Sequence, residues 1–249
     1  MSVPMNRGYR PFLSIVLLLA SLFLSTWRVE AQTSNDDLIH DNGAWLVFLG
    51  QGNFASLYPA LRNLRWWFDV QGRFIGDSEG YDQGLISPGI GYAIADKTTI
   101  WIGYTYLHTE PFGGKNFNEH RIWQQLIWST KFEQIGLQSR TRMEQRFLEV
   151  GSDTGWRLRQ LFGVTYSFNF KNKLGLALYE ELFLDLNDTD WGANTGFAQN
   201  RFFVGPSWKV DKKGRAIVEV GYRNQYIRNE VINNRMNHLL SINLLLNFN

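Results

Sequence analysis

The chain has 249 residues, a formal net charge of +2 and no cysteine. The absence of thiols excludes structural disulfides, thiolate metal sites, a cysteine nucleophile and a lipidated N-terminal cysteine. Aromatic residues make up 15% of the chain and include ten tryptophans, which is rich for a soluble domain. Composition therefore excludes thiol chemistry but leaves both a soluble and a membrane protein open.

The first 31 residues are typical of a secretory signal peptide. A short, positively charged region with two arginines comes first. It is followed by an almost entirely apolar run at residues 12–24 and by the small-x-small cleavage pattern Val29-Glu30-Ala31. The apolar run is shorter than the roughly 20 residues that a membrane-spanning helix needs, which disfavours an uncleaved anchor. We expect cleavage after Ala31, with residues 32–249 forming a single outer-membrane barrel domain.

Cleavage at this site changes the charge balance. It removes three arginines and one glutamate, so that Lys+Arg falls from 25 to 22 and Asp+Glu falls from 23 to 22. The mature chain is therefore neutral, which gives no electrostatic basis for nucleic-acid binding. No later apolar run is long enough to predict a transmembrane helix.

Side chains alternate with period two along nearly the whole remaining chain, which indicates antiparallel strands. Ten strands are predicted: residues 65–75, 84–94, 98–108, 118–130, 135–148, 155–169, 174–184, 197–210, 215–227 and 235–249. Most have one apolar and one polar face and exceed the usual length of strands in soluble sheets, as expected for a tilted bilayer span. The pattern predicts an all-β fold, an antiparallel transmembrane β-barrel of about ten to twelve strands.

The strand number is open by one hairpin at the N-terminal end. A further apolar stretch, Trp45–Leu49, precedes the ten strands. Single-chain bacterial barrels have even strand numbers. The stretch is therefore either half of a poorly marked hairpin, giving twelve strands, or an extra segment beside ten.

The predicted connections alternate in length. Short connections are predicted at residues 95–97, 131–134, 171–173 and 211–214, and longer ones at 76–83, 109–118, 150–155, 185–196 and 229–234. Outer-membrane barrels have short periplasmic turns and longer extracellular loops. We therefore expect the first set on the periplasmic side and the second set outside the cell.

The last predicted strand resembles the assembly signal that ends bacterial barrel proteins. Apolar residues occupy alternate positions up to the aromatic Phe248, although Asn249 follows it. We expect the barrel-assembly machinery to recognise this strand, and outer-membrane lipid to surround the finished barrel.

Charged residues concentrate on one face of three consecutive strands, which predicts a charge network in the lumen. The network consists of Glu119, Arg121, Gln125, Arg140, Arg142, Glu144, Arg146, Arg157 and Arg159. Arginine pairs with carboxylates through a bidentate fork, so cross-strand pairs can brace a small barrel whose interior must be filled. Alternatively, surplus arginines form an anion-selective constriction that admits a small anionic solute.

The same strands carry a family resemblance. The segments NEHRIWQQL, RTRMEQRF and WRLRQL resemble the hallmark of an uncharacterised bacterial family, domain of unknown function 2490. The resemblance covers roughly Trp45 to the C-terminus. It implies an exported outer-membrane barrel of a Gram-negative bacterium and attaches no activity to it. The charged lumen, considered apart from the resemblance, predicts a structural protein or a narrow porin.

Two other classes of function stay open. Outer-membrane phospholipases and lipid A deacylases carry a Ser-His pair on the barrel wall, but no motif here places a serine beside one of the four histidines, His40, His108, His120 and His238. No two histidines have metal-ligand spacing either. We expect no enzyme, metal or cofactor, with a lipid hydrolase as the alternative. A soluble barrel that binds an apolar ligand inside would invert the two faces.

Overall fold

A computed structural model describes residues 38–55, 57–76, 80–111, 114–168, 173–229 and 233–248. The expected signal peptide lies outside these residues. The described residues form eleven strands: β1 (Ile39–Asn53), β2 (Leu64–Ile75), β3 (Gly80–Ala95), β4 (Thr98–Thr109), β5 (Phe117–Phe132), β6 (Ile135–Leu148), β7 (Thr154–Ser167), β8 (Leu174–Asp185), β9 (Gly196–Lys209), β10 (Ala216–Ile227) and β11 (Arg235–Phe248). A 3-10 helix, Pro59–Leu61, follows β1. Helices able to cross a membrane are absent from this part of the chain.

The described strands close into one barrel. From β2 to β11, each strand pairs antiparallel with its neighbours in sequence. β1 pairs antiparallel with β2 and parallel with β11. The predicted all-β barrel of ten to twelve strands is confirmed. The expected even number is wrong, because Trp45–Leu49 lies in β1, an eleventh strand that closes the barrel by pairing in parallel with β11.

The ten predicted strands all exist, and their ends agree closely with β2–β11. The largest difference is at β3, which begins at Gly80, four residues before its predicted start. The predicted short connections lie at one rim of the barrel, here called the short-turn rim, and the predicted longer ones at the opposite, long-loop rim. The β1–β2 connection, residues 54–63, is an exception, because it is long and lies at the short-turn rim.

The two faces of the barrel differ in polarity. Outward side chains include many exposed large hydrophobic groups, among them Ile86, Ile90, Ile94, Ile102, Phe162, Leu176, Leu240 and Ile242. The lumen holds charged side chains together with four buried tryptophans, Trp45, Trp67, Trp101 and Trp123. This arrangement is the opposite of a soluble barrel with an apolar interior.

Glycines on the lumen face of β3 and β4 make room for Trp123, which is fully buried. A Cβ on Gly103 would lie 2.0 Å from Cζ2 of this indole, and one on Gly89 would lie 2.5 Å from Cη2. The indole Nε1 donates to the hydroxyls of Ser87 and Thr105, each at 3.1 Å. Small residues in these strands therefore fix the position of one large aromatic ring.

Candidate functional site: the charged lumen

The structure places all nine residues of the sequence-predicted network on the lumen face of the adjacent strands β5, β6 and β7. Two carboxylates of β8, Glu181 and Asp185, join them. We call the eleven residues the paired wall. Because β5–β8 are consecutive antiparallel neighbours, the charges form adjacent rows that reach one another across the strands.

Toward the long-loop rim, two carboxylates each accept a guanidinium fork. Glu119 Oε1 accepts from Nε of Arg121 at 2.8 Å and from Nε of Arg146 at 2.5 Å, and Oε2 accepts from Nη2 of the same two arginines at 2.9 and 3.1 Å. Asp185 accepts from Nε and Nη2 of Arg157 at 2.6 and 3.0 Å. Arg146 Nη1 lies 3.9 Å from Asp185 Oδ1, which links the two groups.

The centre of the paired wall is Glu144, whose side chain is fully buried. It accepts from Nη1 of Arg159 at 2.6 Å, and arginine nitrogens of Arg121 and Arg142 lie 3.7 and 3.8 Å from its two oxygens. Arg159 also donates to Glu181 Oε1, through Nε at 3.0 Å and Nη2 at 2.8 Å. One buried carboxylate therefore holds three guanidinium groups together.

The remaining arginines of the paired wall are also held by protein groups. Arg140 Nη2 donates to Glu181 Oε1 at 2.8 Å. Arg142 Nε donates to Gln125 Oε1 at 2.8 Å, and its guanidinium carbon lies 4.3 Å from the ring centroid of Trp123. Each of the six arginines of the paired wall thus has a carboxylate or amide partner, which is the arrangement that buried charge requires.

The opposite side of the lumen is different. Arg73 of β2, Arg201 of β9 and Arg223 of β10 surround Trp45 of β1, with guanidinium carbons 4.0, 4.8 and 4.6 Å from the ring centroid. We call these three residues the arginine trio. Within the described ranges, no carboxylate lies within 4.0 Å of a nitrogen of the trio.

Neutral groups orient the arginine trio. Arg73 donates to the amide oxygens of Gln83 and Gln71, the latter at 3.2 Å, and Gln71 Oε1 also accepts from Trp45 Nε1 at 3.0 Å. Arg201 Nη2 donates to Gln199 Oε1 at 3.3 Å, and Arg223 Nε donates to Ser241 Oγ at 3.2 Å. Amide and hydroxyl oxygens hold these side chains in place without neutralising their charge.

Two cavities occupy the lumen. One, of about 460 Å³, lies in the short-turn half, and its lining includes seven arginines and four carboxylates. The other, of about 490 Å³, lies in the long-loop half and has seven arginines and three carboxylates. Arg73, Arg121 and Arg201 line both cavities, so they stand between the two. Positive charge is in excess in each half and at the junction.

The long-loop mouth is partly covered by a contact between two loops, residues 149–153 and 186–195, here called the rim clasp. Asp190 accepts from the backbone N–H and the hydroxyl of Ser152, both at 2.8 Å, and from the backbone N–H of Asp153 at 3.2 Å. These hydrogen bonds hold the pKa of Asp190 below its ordinary value of 3.8. Trp191 donates to Asp153 O at 2.8 Å and lies 4.8 Å from the Arg146 guanidinium.

The four histidines lie on the outward face of their strands, away from the lumen. His108 contacts Asn118 Oδ1 at 2.7 Å and Glu110 Oε1 at 3.1 Å, and neither partner is a hydroxyl nucleophile. His40 and His238 contact each other at 3.0 Å across the β1–β11 pair. The Ser-His arrangement that the hydrolase alternative needs is not formed by these contacts.

Sequence comparison adds a family and one full-length relative. The family described as "Protein of unknown function (DUF2490)" matches residues 42–237. An uncharacterised protein of Methylorubrum extorquens is 29% identical over 236 residues, covering 93% of this chain and 97% of the relative. No solved structure matches the chain.

Proposed function

The chain belongs to the DUF2490 family, and from this premise and the lumen described above we propose that it is an outer-membrane β-barrel that acts as a narrow, anion-preferring pore. A closed barrel leaves no unpaired strand edge, which is a condition for crossing a bilayer with strands. The exposed outward hydrophobic side chains and the charged interior support the same environment.

The observation that carries the pore proposal is the excess of arginine between the two cavities. Arg121 comes from the paired wall, and Arg73 and Arg201 come from the arginine trio on the opposite side. Rings of positive side chains at a constriction favour anions over cations. With eleven strands, side chains fill much of the lumen, so conductance is expected to be far below that of wide porins.

The proposed location rests on the sequence. The expected signal peptide supports export, and the apolar alternation of β11 up to Phe248 supports recognition by the barrel-assembly machinery. In the outer membrane, lipid would surround the hydrophobic outward face, and the long-loop rim would face the outside of the cell.

Planar-bilayer recording tests the pore. The purified protein should give small, discrete conductance steps. In a KCl gradient, the reversal potential should lie closer to the equilibrium potential of chloride than to that of potassium. Arg201→Glu should move the reversal potential toward that of potassium, whereas Arg62→Glu, in the exposed β1–β2 connection, should change it little. Heat-modifiable migration in detergent shows that each variant is folded. Absence of conductance steps from folded protein would contradict the pore.

A purely structural barrel is the second candidate, and the paired wall favours it. Each of the six arginines of that wall has a carboxylate or amide partner, so contacts within the protein hold this side of the lumen together. One buried nitrogen, Nη2 of Arg142, has no hydrogen-bond partner among the described residues. A structural role predicts folded protein without conductance and an envelope that becomes leaky to detergents when the gene is deleted.

We propose no hydrolytic activity for this barrel. The outward contacts of His108 with Asn118 and Glu110 provide no nucleophile. Fatty-acid release from phospholipid vesicles should therefore be absent. Fatty-acid release by the wild-type protein that is lost in His108→Ala would contradict this proposal and support a lipid hydrolase.

A further inference from the structure

Three cations converge at one place in the lumen, and no carboxylate of the described residues lies within 4.0 Å of their nitrogens. The guanidinium carbons of Arg73, Arg201 and Arg223 all lie within 5 Å of one ring centroid of Trp45. They are therefore less than about 10 Å apart, where unscreened like charges repel one another. Asp69, Glu181 and Glu219 line the same cavity and offset part of this repulsion, and a bound anion would offset more of it.

Nearby carboxylates are already engaged by other donors. Glu181 accepts from Arg140 and Arg159. Glu219 accepts from Tyr179 Oη at 2.7 Å and from Asn243 Nδ2 at 3.1 Å.

Asp69 is the fourth carboxylate of this cavity, after Glu144, Glu181 and Glu219. Both of its oxygens accept from Gln71 Nε2 at 3.0 Å. The cavity lining has seven arginines against four carboxylates, an excess of three, and the trio has three members. The trio therefore lines a cavity in which arginines outnumber carboxylates.

Arg73 also offers a free buried donor. This side chain is 8% exposed, and its Nε has no hydrogen-bond partner among the described residues. A buried donor without a partner costs free energy unless a ligand or solvent accepts from it. The adjoining cavity of about 460 Å³ has room for a small solute.

We propose that the arginine trio, arranged around Trp45, binds a small, multiply charged oxyanion at the junction of the two lumenal cavities. Guanidinium groups match the paired oxygens of phosphate and carboxylate through two parallel hydrogen bonds, which chloride cannot accept in the same way. The strands separate this site from the surrounding lipid, so the ligand is a free solute. The inference deepens the pore function, because the bound oxyanion is the class of solute that the lumen selects.

Calorimetric titration of the full-length protein in detergent with inorganic phosphate tests the site. Phosphate should bind with about 1:1 stoichiometry, and sodium chloride at equal ionic strength should give no saturable heat. Acetate, which has a single carboxylate, should bind more weakly than phosphate. Arg201→Gln and Arg223→Gln should each weaken phosphate binding at least about tenfold, because each removes a charge-assisted fork. Arg201→Lys, which keeps the charge but loses the fork, should fall between wild type and Arg201→Gln.

Arg140→Gln is the matched control, because Arg140 lines the same cavity but is paired with Glu181. It should weaken phosphate binding less than about threefold if only the trio forms the site. An equal loss in Arg140→Gln and Arg201→Gln, or no phosphate-specific heat in wild type, would overturn the site. Heat-modifiable migration again verifies that each variant is folded.

Failure of the site and failure of the pore are distinguishable. Phosphate binding without conductance would contradict the pore and leave the oxyanion site intact. Conductance that shows no block by phosphate, together with no calorimetric binding, would contradict the site and leave the pore intact.

Discussion

The two sides of the lumen use the same residue, arginine, in different ways. On the paired wall, six arginines are held by Glu119, Glu144, Glu181, Asp185 and Gln125. Across the lumen, the arginine trio rests on an aromatic ring and on neutral oxygens. Pairing on one side links neighbouring strands, and on the other side we propose that arginines without a carboxylate within 4.0 Å attract anions. The comparison shows that the number of arginines in a barrel says little about transport until their partners are known.

The largest expected effect is the loss of the central carboxylate of the paired wall. Glu144→Gln leaves the guanidinium groups of Arg159, Arg121 and Arg142 without their shared negative charge. Breaking a buried ion pair in this way costs about 3–5 kcal/mol of unfolding free energy. Denaturant unfolding of the purified barrel in detergent measures the loss.

The matched control is Glu180→Gln, the same replacement on the outward face of β8. Glu180 has Asn200 as its partner and no arginine within ion-pair distance in the described residues. It should change the unfolding free energy by less than about 1 kcal/mol. Similar losses in the two variants would show that the paired wall is not a special source of stability.

A smaller loss is expected where the paired wall rests on Trp123. Gly103→Val places side-chain atoms where the indole ring lies, since even a Cβ would approach it to 2.0 Å. The ring must shift, and the Arg142 guanidinium that packs on it must shift too. The expected loss of unfolding free energy is about 1–3 kcal/mol. Near-ultraviolet circular dichroism and denaturant unfolding measure the two effects. An unchanged spectrum at full stability would show that the ring can relocate freely.

A change on the other side of the lumen should be nearly neutral for stability. Arg223→Gln removes a charge that has no carboxylate within 4.0 Å in the described structure. It relieves repulsion of Arg73 and Arg201 and loses the longer-range attraction of Glu181 and Glu219. The unfolding free energy should stay within about 1 kcal/mol of wild type, or rise. A loss as large as that of Glu144→Gln would remove the distinction between the two sides.

The smallest effect concerns the rim clasp above the paired wall. Hydrogen bonds from Ser152 and Asp153 lower the pKa of Asp190, so the stabilisation is present above the ordinary aspartate pKa and is lost as pH falls through the lowered value. The clasp is therefore intact at neutral pH and loosens only in strong acid.

Carboxyl NMR titration in micelles should place the Asp190 pKa below 3.8 in wild type and higher in Ser152→Ala. An ordinary pKa in wild type would contradict the hydrogen bonds of the clasp. Asp211, which receives its own backbone hydrogen bonds in a turn at the opposite rim, should titrate identically in both proteins.

Much of the fold was predictable because alternation is strictly local. Period two marked β2–β11, and parity alone placed Arg142 on the lumen side. The role of β1 was not predictable, because its partner β11 lies at the other end of the chain and its apolar stretch fits several pairings. An even strand number is a regularity of known barrels and not a physical requirement, so it misled the count.

The site was predictable only in part for a similar reason. Six arginines on three consecutive strands are conspicuous, whereas Glu181 and Asp185 alternate with Phe183 and leave β8 without a polar face. The arginine trio comes from three strands that are separated in the sequence, and only closure of the barrel brings its members together. The convergence of Arg201 and Arg223 on Trp45 depends on the β1 seam, which local alternation does not specify.

That seam has a kinetic consequence. Ile39 pairs with Arg235, 196 residues later in the chain, and no hairpin brings the two ends together. Contacts of such high sequence separation form late, because the intervening chain must first be ordered. A parallel ladder is also slightly weaker per residue than an antiparallel one. We therefore expect β1 and β11 to pair last during folding and to separate first during unfolding. A reversible crosslink across this pair should then slow unfolding more than a crosslink between any two sequential strands.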